Sequence, residues 1–222
     1  MDDRDLTQLF ETDEQSVRLA DKEWPLFQRV RNVGGPADCQ SNRETFVIMR
    51  RSQFMSWPPA LKSSYERDLD AATAQGRNLI SEKYAHMMRY THPQEYAQLS
   101  ARLPAPEPEA EALIEATLPT VLTWSLDMSN KYPWLMAVSR PVFAAQDGLG
   151  TSIETYTRGE LTTYSLETLR LLRTYYGELE TNHINLHEVI DSFTVRLMGF
   201  ASLRDVDDQL ARQLGGAQEG RA

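Results

Sequence analysis

Apolar side chains recur every three or four residues over most of this chain, the spacing of one face of an α-helix. Polar residues fill the positions between them. Five such stripes are Val17, Asp21, Trp24, Phe27 and Val30; Leu61, Tyr65, Leu69 and Ala72; Ile114, Leu118, Val121, Ser125 and Met128; Leu166, Leu169, Leu172 and Tyr176; and Leu186, Ile190, Phe193 and Leu197. No two segments alternate as paired strands do. The pattern predicts an all-α, single-domain irregular helical bundle of about seven to nine helices.

Capping residues and helix-breaking residues divide this pattern into separate elements. Residues 12–15 have the spelling of a capping box, with Thr12 as the N-cap. Ser165 and Ser202 are predicted to cap two later helices, the second of them short. A further helix is predicted over 44–57. Breaks are predicted where glycine and proline occur, at 32–36, 58–59, Gly76, 92–93 and 103–108.

Three proline-containing or irregular segments shape the expected domain. Residues 103–108 contain three prolines and are predicted to be a hinge between two halves of one domain. Pro119 is expected to kink its helix or to cost it one turn. Residues 131–150 form the longest irregular stretch, and such loops often carry function. The chain ends, 1–11 and 214–222, are expected to fray.

The composition is that of a globular protein. The 222 residues are 41% hydrophobic and 25% charged, enough for one domain with a real core. No run of about 18 apolar residues occurs, so we expect no membrane-spanning helix. The first residues are acidic where targeting sequences are basic, which predicts a cytoplasmic protein. The single cysteine, Cys39, cannot form an internal disulfide, and we expect it simply to pack.

The charge balance and the motifs narrow the function classes. A net charge of −9 weighs against nucleic-acid binding, because affinity for phosphate depends largely on clustered lysine and arginine. No G-x-G-x-x-G, P-loop or G-x-S-x-G motif occurs, which disfavours nucleotide-binding enzymes and serine hydrolases of those types. The expected partner is a small-molecule substrate, and the sequence leaves the oligomeric state open.

Two segments place carboxylate and imidazole groups about one helical turn apart, as di-iron sites in helical bundles do. Glu82 precedes His86 by four residues, and Glu180 precedes His183 by three, with His187 beyond them. The residues between the last two histidines have poor helix propensity and predict a break between helices. We therefore expect no metal and no other cofactor, and a metal site remains the alternative.

The segment 152–164 offers groups for acid–base chemistry and anion binding. If it is helical, Tyr156 and Glu160 share one face, because they are four residues apart. A tyrosine and a carboxylate can donate and accept protons, and the guanidinium of Arg158 can hold a substrate carboxylate through two N–H groups. This face is one candidate for the active site.

The segment 76–84 is a second polar block. Arg77, Asn78, Glu82 and Lys83 are crowded there between apolar residues that should be interior. Charges beside a core are either paired or functional. A buried arginine–glutamate network that joins the two halves of the domain is the structural alternative to an active site.

Four blocks of the sequence resemble one uncharacterised family of domains of unknown function, found in bacteria and in fungal biosynthetic clusters. The blocks are Asn32-Val-Gly-Gly with Cys39-Gln40, Thr45-Phe-Val-Ile-Met-Arg50 with Ser52-Gln53-Phe54, Gly76-Arg-Asn-Leu79 with Glu82-Lys-Tyr84 and Met87-Met88, and Glu154-Thr-Tyr with Arg158-Gly-Glu-Leu161. The resemblance covers about Trp24 to Leu203 and implies a helical fold. The family usually has arginine where this chain has His86, which weakens the metal hypothesis. The resemblance favours a shared pocket formed by Arg50, Arg77, Asn78, Glu82, Tyr156, Arg158 and Glu160.

We hypothesise a metal-independent enzyme that performs acid–base chemistry on a small polar substrate such as an amino-acid derivative. The resemblance implies that it belongs to specialised metabolism. The predicted catalytic residues are Glu82, Tyr156 and Glu160. The predicted substrate-binding residues are Arg50, Arg77, Asn78 and Arg158. In this hypothesis Arg77 and Arg158 hold an anionic group, Glu82 or Glu160 moves a proton, and Tyr156 is a donor.

Two alternatives from other classes stay open. A metal-dependent helical-bundle oxidase would use Glu82, His86, Glu180 and His183, and it predicts bound iron or manganese. A non-catalytic accessory protein of a biosynthetic pathway predicts a stable complex with a pathway enzyme and no turnover.

Overall fold

The computed structural model describes residues 12–30 and 40–219, and within these ranges it contains eleven α-helices, two short 3₁₀ helices and no β-strand. The α-helices are α1 (Glu14–Gln28), α2 (Arg43–Met55), α3 (Pro59–Ala74), α4 (Leu79–Thr91), α5 (Pro93–Leu99), α6 (Pro108–Lys131), α7 (Pro133–Ala137), α8 (Ile153–Leu161), α9 (Leu166–Thr181), α10 (Leu186–Leu197) and α11 (Leu203–Glu219). The 3₁₀ helices are Ser100–Arg102 and Ala144–Leu149. Predictions for 1–11, 32–36, Cys39 and 220–222 fall outside the described residues.

The all-α class is confirmed, but the predicted seven to nine helices are too few for the described residues. Two additional short helices, α5 and α7, begin at Pro93 and Pro133. Both prolines lie in segments that were predicted to be a boundary or irregular. Each occupies the first helical turn, where its fixed φ suits the helix and its missing N–H costs no hydrogen bond. A proline that ends one helix therefore starts the next one here.

Side-chain caps set several helix ends. Ser165 and Ser202 accept hydrogen bonds from backbone N–H groups three residues later, at 3.2 and 3.1 Å, which confirms both predicted caps. The first helix is capped by Asp13 and not by Thr12, because Asp13 directly precedes the helix and accepts the N–H of Ser16 at 3.1 Å.

Two helices are longer than predicted. α6 continues as one helix of 24 residues across Pro119, so no turn is lost there. Buried side chains on both sides of the proline, including Leu118 and Val121, stabilise the helix despite the missing hydrogen bond. α11 has 17 residues where a short helix was predicted, and it reaches Glu219.

One cluster of buried apolar side chains joins α1 to α4, α6 and α8 to α10 into a single bundle. A smaller cluster around Met128, Val195 and Leu203 connects α6, α10 and α11. None of the described helices is both long and apolar enough to cross a membrane.

The buried face of α1 differs from the predicted one. Its buried residues are Ser16, Leu19, Ala20, Glu23, Leu26 and Phe27. The predicted stripe is therefore only partly right: Phe27 and Val30 are buried and Trp24 packs against the core, but Asp21 is exposed. The error arises because the true face carries a charged residue, Glu23, in a position where the pattern calls for an apolar one.

The stretch 131–150, predicted as irregular, contains α7 and the 3₁₀ helix Ala144–Leu149. Two carboxylates hold the backbone of this stretch through hydrogen bonds. Asp207 of α11 accepts hydrogen bonds from two backbone N–H groups at the start of α7, both at 2.8 Å. Asp147 accepts the N–H of Ser152 at 2.7 Å. The stretch is thus anchored at both ends, and its central part borders the cavity described below.

Candidate functional site

Three charged side chains from three helices meet in the interior of the bundle. Glu23 on α1 is fully buried, and its two oxygens accept hydrogen bonds from Arg50 on α2 at 2.5 and 2.7 Å. The same guanidinium lies 3.2 Å from an oxygen of Glu160 on α8. A buried carboxylate without a partner is strongly destabilising, so Arg50 is required to keep both carboxylates inside.

Glu160 links this ion pair to a second cation. Its other oxygen lies 3.3 Å from the ammonium group of Lys83 on α4. That ammonium also donates a hydrogen bond to the Tyr156 hydroxyl and lies 3.7 Å from the centroid of the Tyr156 ring. Tyr156 and Glu160 are one turn apart on α8, which confirms the predicted shared face. One lysine therefore contacts both side chains.

Two buried tyrosines complete the hydrogen bonding of the carboxylates. Tyr65 donates to Glu23 at 2.6 Å, and Tyr164 donates to Glu160 at 3.2 Å. Burial, followed by the nearby carboxylates, raises the pKa of both phenols well above the usual range. Both tyrosines therefore remain protonated and act as donors.

The ion pairs fix the charge states of the network. Burial alone would raise the pKa of Glu160, but Lys83 and Arg50 lower it, and the resulting pKa is about 2. Burial alone would lower the pKa of Lys83, and the neighbouring Glu160 and Tyr156 raise it above the usual value. Glu160 is thus a carboxylate and Lys83 an ammonium at neutral pH. Two carboxylates and two cations balance one another in this network.

Gly159 allows α8 to approach α4 closely enough for these contacts. A Cβ atom at this position would lie 2.6 Å from the Met87 side chain and 2.9 Å from the carbonyl oxygen of Lys83. Both distances are too short for real carbon contacts, so any larger residue would push the helices apart. The glycine therefore sets the spacing that brings Glu160 to Lys83.

A cavity of about 740 Å³ lies beside the network, within the size range of small-molecule sites. Its walls come from α2, α6, α8, α9, α10 and the segment 138–141. Apolar lining residues include Trp57, Val121, Met128, Leu172 and Ile190. Polar lining residues include Arg50, Gln53, Tyr156, Glu160, His187 and Asp191. Such a lining suits a molecule with an apolar body and a few polar groups.

Arg140 lies at the rim of this cavity. Its guanidinium carbon is 4.7 Å from the centroid of the Tyr156 ring, and one of its nitrogens donates to the carbonyl oxygen of Thr151 at 3.1 Å. In the part of the chain that the structure describes, no carboxylate forms an ion pair with Arg140. The cavity thus has an exposed cation, with donors to spare, next to the Tyr156 ring.

All these network and cavity residues lie between positions 23 and 194. A family described as protein of unknown function (DUF4125) matches residues 15–208. The chain belongs to the DUF4125 family. This confirms the resemblance to an uncharacterised family, and the DUF4125 match includes every residue of the site. No curated protein and no solved structure matches the chain.

The structure brings three of the predicted site residues of this DUF4125 chain together. Arg50, Tyr156 and Glu160 all line the large cavity. Arg50 uses its guanidinium for Glu23, Glu160 and Gln53, the last at 2.6 Å. Most hydrogen-bonding groups of Arg50 are therefore already bonded to other side chains, and the same holds for the Glu160 carboxylate. Tyr156 differs, because its oxygen accepts from Lys83 while its own hydrogen has no acceptor among the described residues.

Three other predicted residues lie apart from the DUF4125 cavity, at the start of α4. Asn78 caps α4 through the N–H of Ser81 at 3.0 Å and donates to a carbonyl oxygen of α1 at 2.9 Å. Arg77 forms two hydrogen bonds with Glu82, at 2.9 and 2.6 Å. The charges of Arg77 and Glu82 are therefore neutralised by each other. Arg77, Asn78 and Glu82 do not line the cavity.

Arg158 points away from the large cavity and lines a smaller pocket of about 200 Å³ with His86. It forms ion pairs with Glu115 and, at 3.3 Å, with Glu154. Arg158 follows Tyr156 by two positions, which on a helix places the two side chains on different faces. The predicted anion-binding arginine thus has two carboxylate partners of its own.

The residues of the metal alternative do not form one cluster. Among the described residues, no three or more histidine, cysteine, aspartate or glutamate side chains are arranged to hold a metal ion. Glu180 accepts hydrogen bonds from Thr120 and Arg173, at 2.7 and 3.0 Å. His183 lies in the turn between α9 and α10, which confirms the predicted break.

Four residues of the DUF4125 site were missed in the sequence: Glu23, Tyr65, Arg140 and Asp191. A signal exists for Glu23, because it continues the spacing of Leu19 and Leu26 on one helical face. Asp191 follows His187 by four residues on α10, beside the apolar stripe of that helix. Arg140 lies in the irregular stretch 131–150, where sequence spacing carries no geometric information.

Proposed function

We propose that the large cavity is the active site of an enzyme that performs acid–base chemistry on a small molecule with an anionic group and an apolar body. The observation that carries the proposal is the hydrogen bonding of Tyr156, a residue of the cavity wall. Its hydroxyl accepts a hydrogen bond from Lys83, so its own hydrogen is left to donate to a bound molecule. No other phenol in the network has this freedom, since Tyr65 and Tyr164 donate to carboxylates.

The proposed step is a single proton transfer. The O–H bond of Tyr156 breaks, and the proton passes to a basic oxygen or nitrogen atom of the substrate. The Lys83 ammonium then donates to the negatively charged oxygen that remains, and solvent at the rim returns a proton. Glu160 is a positioning residue in this proposal, because its carboxylate stays ionised and holds Lys83 in place.

The substrate's anionic group is assigned to Arg140. This arginine takes the role that the sequence suggested for Arg77 and Arg158, each of which is paired with a carboxylate elsewhere. It lies at the rim, next to the Tyr156 ring, where a bound anion would be close to the proton donor. The wider assignment to specialised metabolism is implied by the resemblance alone and stays a prediction.

The proposal is tested by screening for turnover in D₂O. The protein is incubated with a panel of α-amino acids, N-acyl amino acids, 2-oxo acids and arylalkanoic acids. Mass spectrometry then detects new products and carbon-bound deuterium, because a proton donated to a carbonyl oxygen makes the neighbouring C–H exchangeable, whereas deuterium on oxygen or nitrogen exchanges without an enzyme. Tyr156→Phe is the test variant. Tyr90→Phe is the matched control, since Tyr90 is 41% exposed and does not line the large cavity.

The expected result is conversion or deuterium exchange by the wild-type protein and by Tyr90→Phe, with a loss of at least about 100-fold in Tyr156→Phe. Equal rates in the two variants would contradict the role of Tyr156. Binding of a panel member without any conversion would instead favour a non-catalytic binding protein.

A further inference from the structure

Asp191 is a carboxylate without a partner at the α10 wall of the large cavity. It lines the cavity together with His187, which precedes it by four residues and therefore shares its helical face. Within residues 12–30 and 40–219, no side chain or backbone group forms a hydrogen bond or an ion pair with Asp191. Burial raises its pKa to about 6, with no neighbouring charge to offset the cost.

Among the described residues, neither arginine of the cavity wall pairs with Asp191. Arg50 is held by Glu23 and Glu160, and Arg140 lies over the Tyr156 ring. Leaving a carboxylate unpaired in a partly buried site has a cost in stability, and a ligand cation would reduce this cost.

His187 offers a second hydrogen-bond acceptor on the same face. Its Nδ1 lies 3.2 Å from the hydroxyl of Ser125, and that hydroxyl donates its hydrogen to the carbonyl oxygen of Val121 at 2.8 Å. The serine must therefore accept from Nδ1–H, which leaves Nε2 as an acceptor. Burial lowers the pKa of His187 to about 4, so the ring is neutral at physiological pH.

We propose that Asp191 and His187 form a subsite for a protonated amine of the substrate, with the Asp191 carboxylate as counter-ion and His187 Nε2 as a second acceptor. Two acceptors without a donor fit an ammonium group, which has only donors. The inference rests on the proposed function and deepens it, since the substrate then carries an ammonium group as well as an anionic one. A metal ion is less suited, because no third ligand of the usual types joins the pair among the described residues.

The test compares matched probes by isothermal titration calorimetry at pH 7.5. Phenethylamine carries the ammonium group, 2-phenylethanol is its neutral counterpart, and 3-phenylpropionate probes the anion site. The variants are Asp191→Asn and, as a control, Asp208→Asn on α11, an exposed aspartate that does not line the cavity. Circular dichroism confirms that both variants fold.

The wild-type protein and Asp208→Asn are expected to bind phenethylamine at least about tenfold more tightly than 2-phenylethanol. Asp191→Asn should lose this preference and keep the affinity for 3-phenylpropionate. Equal affinity of the wild-type protein for amine and alcohol, or a preference that survives in Asp191→Asn, overturns the inference. If only the acid binds, the amine subsite fails and the anion site of the proposed function is supported. If none of the three probes binds, both the amine subsite and the anion site fail.

Discussion

The ammonium group of Lys83 lies 3.7 Å from the centroid of the Tyr156 ring and donates a hydrogen bond to the Tyr156 hydroxyl. This contact joins α4 to α8 at the edge of the large cavity. Lys83 therefore has two roles, because its ammonium group bonds the Tyr156 hydroxyl and also neutralises the buried Glu160 carboxylate. The ion network and the proposed proton donor are therefore one structure, and substitutions in it should affect stability and function differently.

Glu160→Gln should destabilise the protein by about 3–5 kcal/mol, because it leaves Lys83 and Arg50 buried with one carboxylate fewer. Urea denaturation measures the change. Glu167→Gln is the control, since Glu167 is 65% exposed and pairs with an exposed Arg67, and it should cost less than about 1 kcal/mol. Similar losses in the two variants would show that the network contributes no more than a surface pair.

The same network should shape the acid stability of the protein. The pKa of Glu160 is lowered to about 2 in the folded state. Its contribution is therefore fully present above the unfolded value near 4.5 and is lost as the pH falls towards 2. In Glu160→Gln this part of the pH dependence should be absent, which urea titrations between pH 2 and 6 can show.

Gly159→Ala should destabilise the protein by about 1–3 kcal/mol, because its Cβ atom would overlap Met87 and the backbone of Lys83. Gly177→Ala on α9 is the matched control. No atom lies within 4 Å of a Cβ at that position, so alanine should stabilise the helix by about 0.5–1 kcal/mol. Thermal unfolding of the two variants should therefore shift in opposite directions, and a shift in the same direction would contradict the close approach of α8 and α4.

Asp191→Asn should make the protein more stable, by an amount that depends on pH. The folded-state pKa of Asp191 is raised from 3.8 to about 6, so stability is lost as the pH rises through this interval. The variant should gain nothing below about pH 4 and up to about 3 kcal/mol above about pH 6.5. The other charged or titratable groups lining the cavity are Arg50, Arg140, Tyr156, Glu160, Tyr164, Tyr176 and His187.

His187 titrates near pH 4, so the gain is taken as the difference between variant and wild type at each pH, by urea denaturation. Asp208→Asn should show no such trend. A gain of stability together with a loss of amine binding would identify Asp191 as a residue kept for function at a cost in stability. A pH-independent difference would contradict the raised pKa.

Much of the fold could be predicted from local patterns. The apolar spacing of α3, α6, α9 and α10 and the caps at Ser165 and Ser202 identify elements whose residues are neighbours in sequence. The face of α1 could not be predicted in the same way. The spacing of apolar residues does not include Glu23, because it is charged. Its carboxylate is nevertheless buried, since Arg50 from another helix neutralises it.

The candidate site was predictable only where its residues share one helix. Tyr156 and Glu160 are four residues apart, and helical spacing alone brings them to one face. Glu160 and its partners Arg50 and Lys83 come from three helices, 110 and 77 positions apart in the sequence. No local pattern carries such a relationship. The predicted roles of Arg77 and Arg158 came from sequence proximity, which does not reveal their carboxylate partners.

The central claim is that the large cavity binds a small anionic molecule through Arg140, next to Tyr156. The most direct measurement is the Kd of 3-phenylpropionate, by isothermal titration calorimetry, for wild type, Arg140→Gln and Arg102→Gln. Arg102 is an exposed arginine outside the cavity, so its variant is the control. The account predicts that the Kd rises about tenfold, or about 1.4 kcal/mol, in Arg140→Gln alone. The same Kd in all three proteins would contradict it.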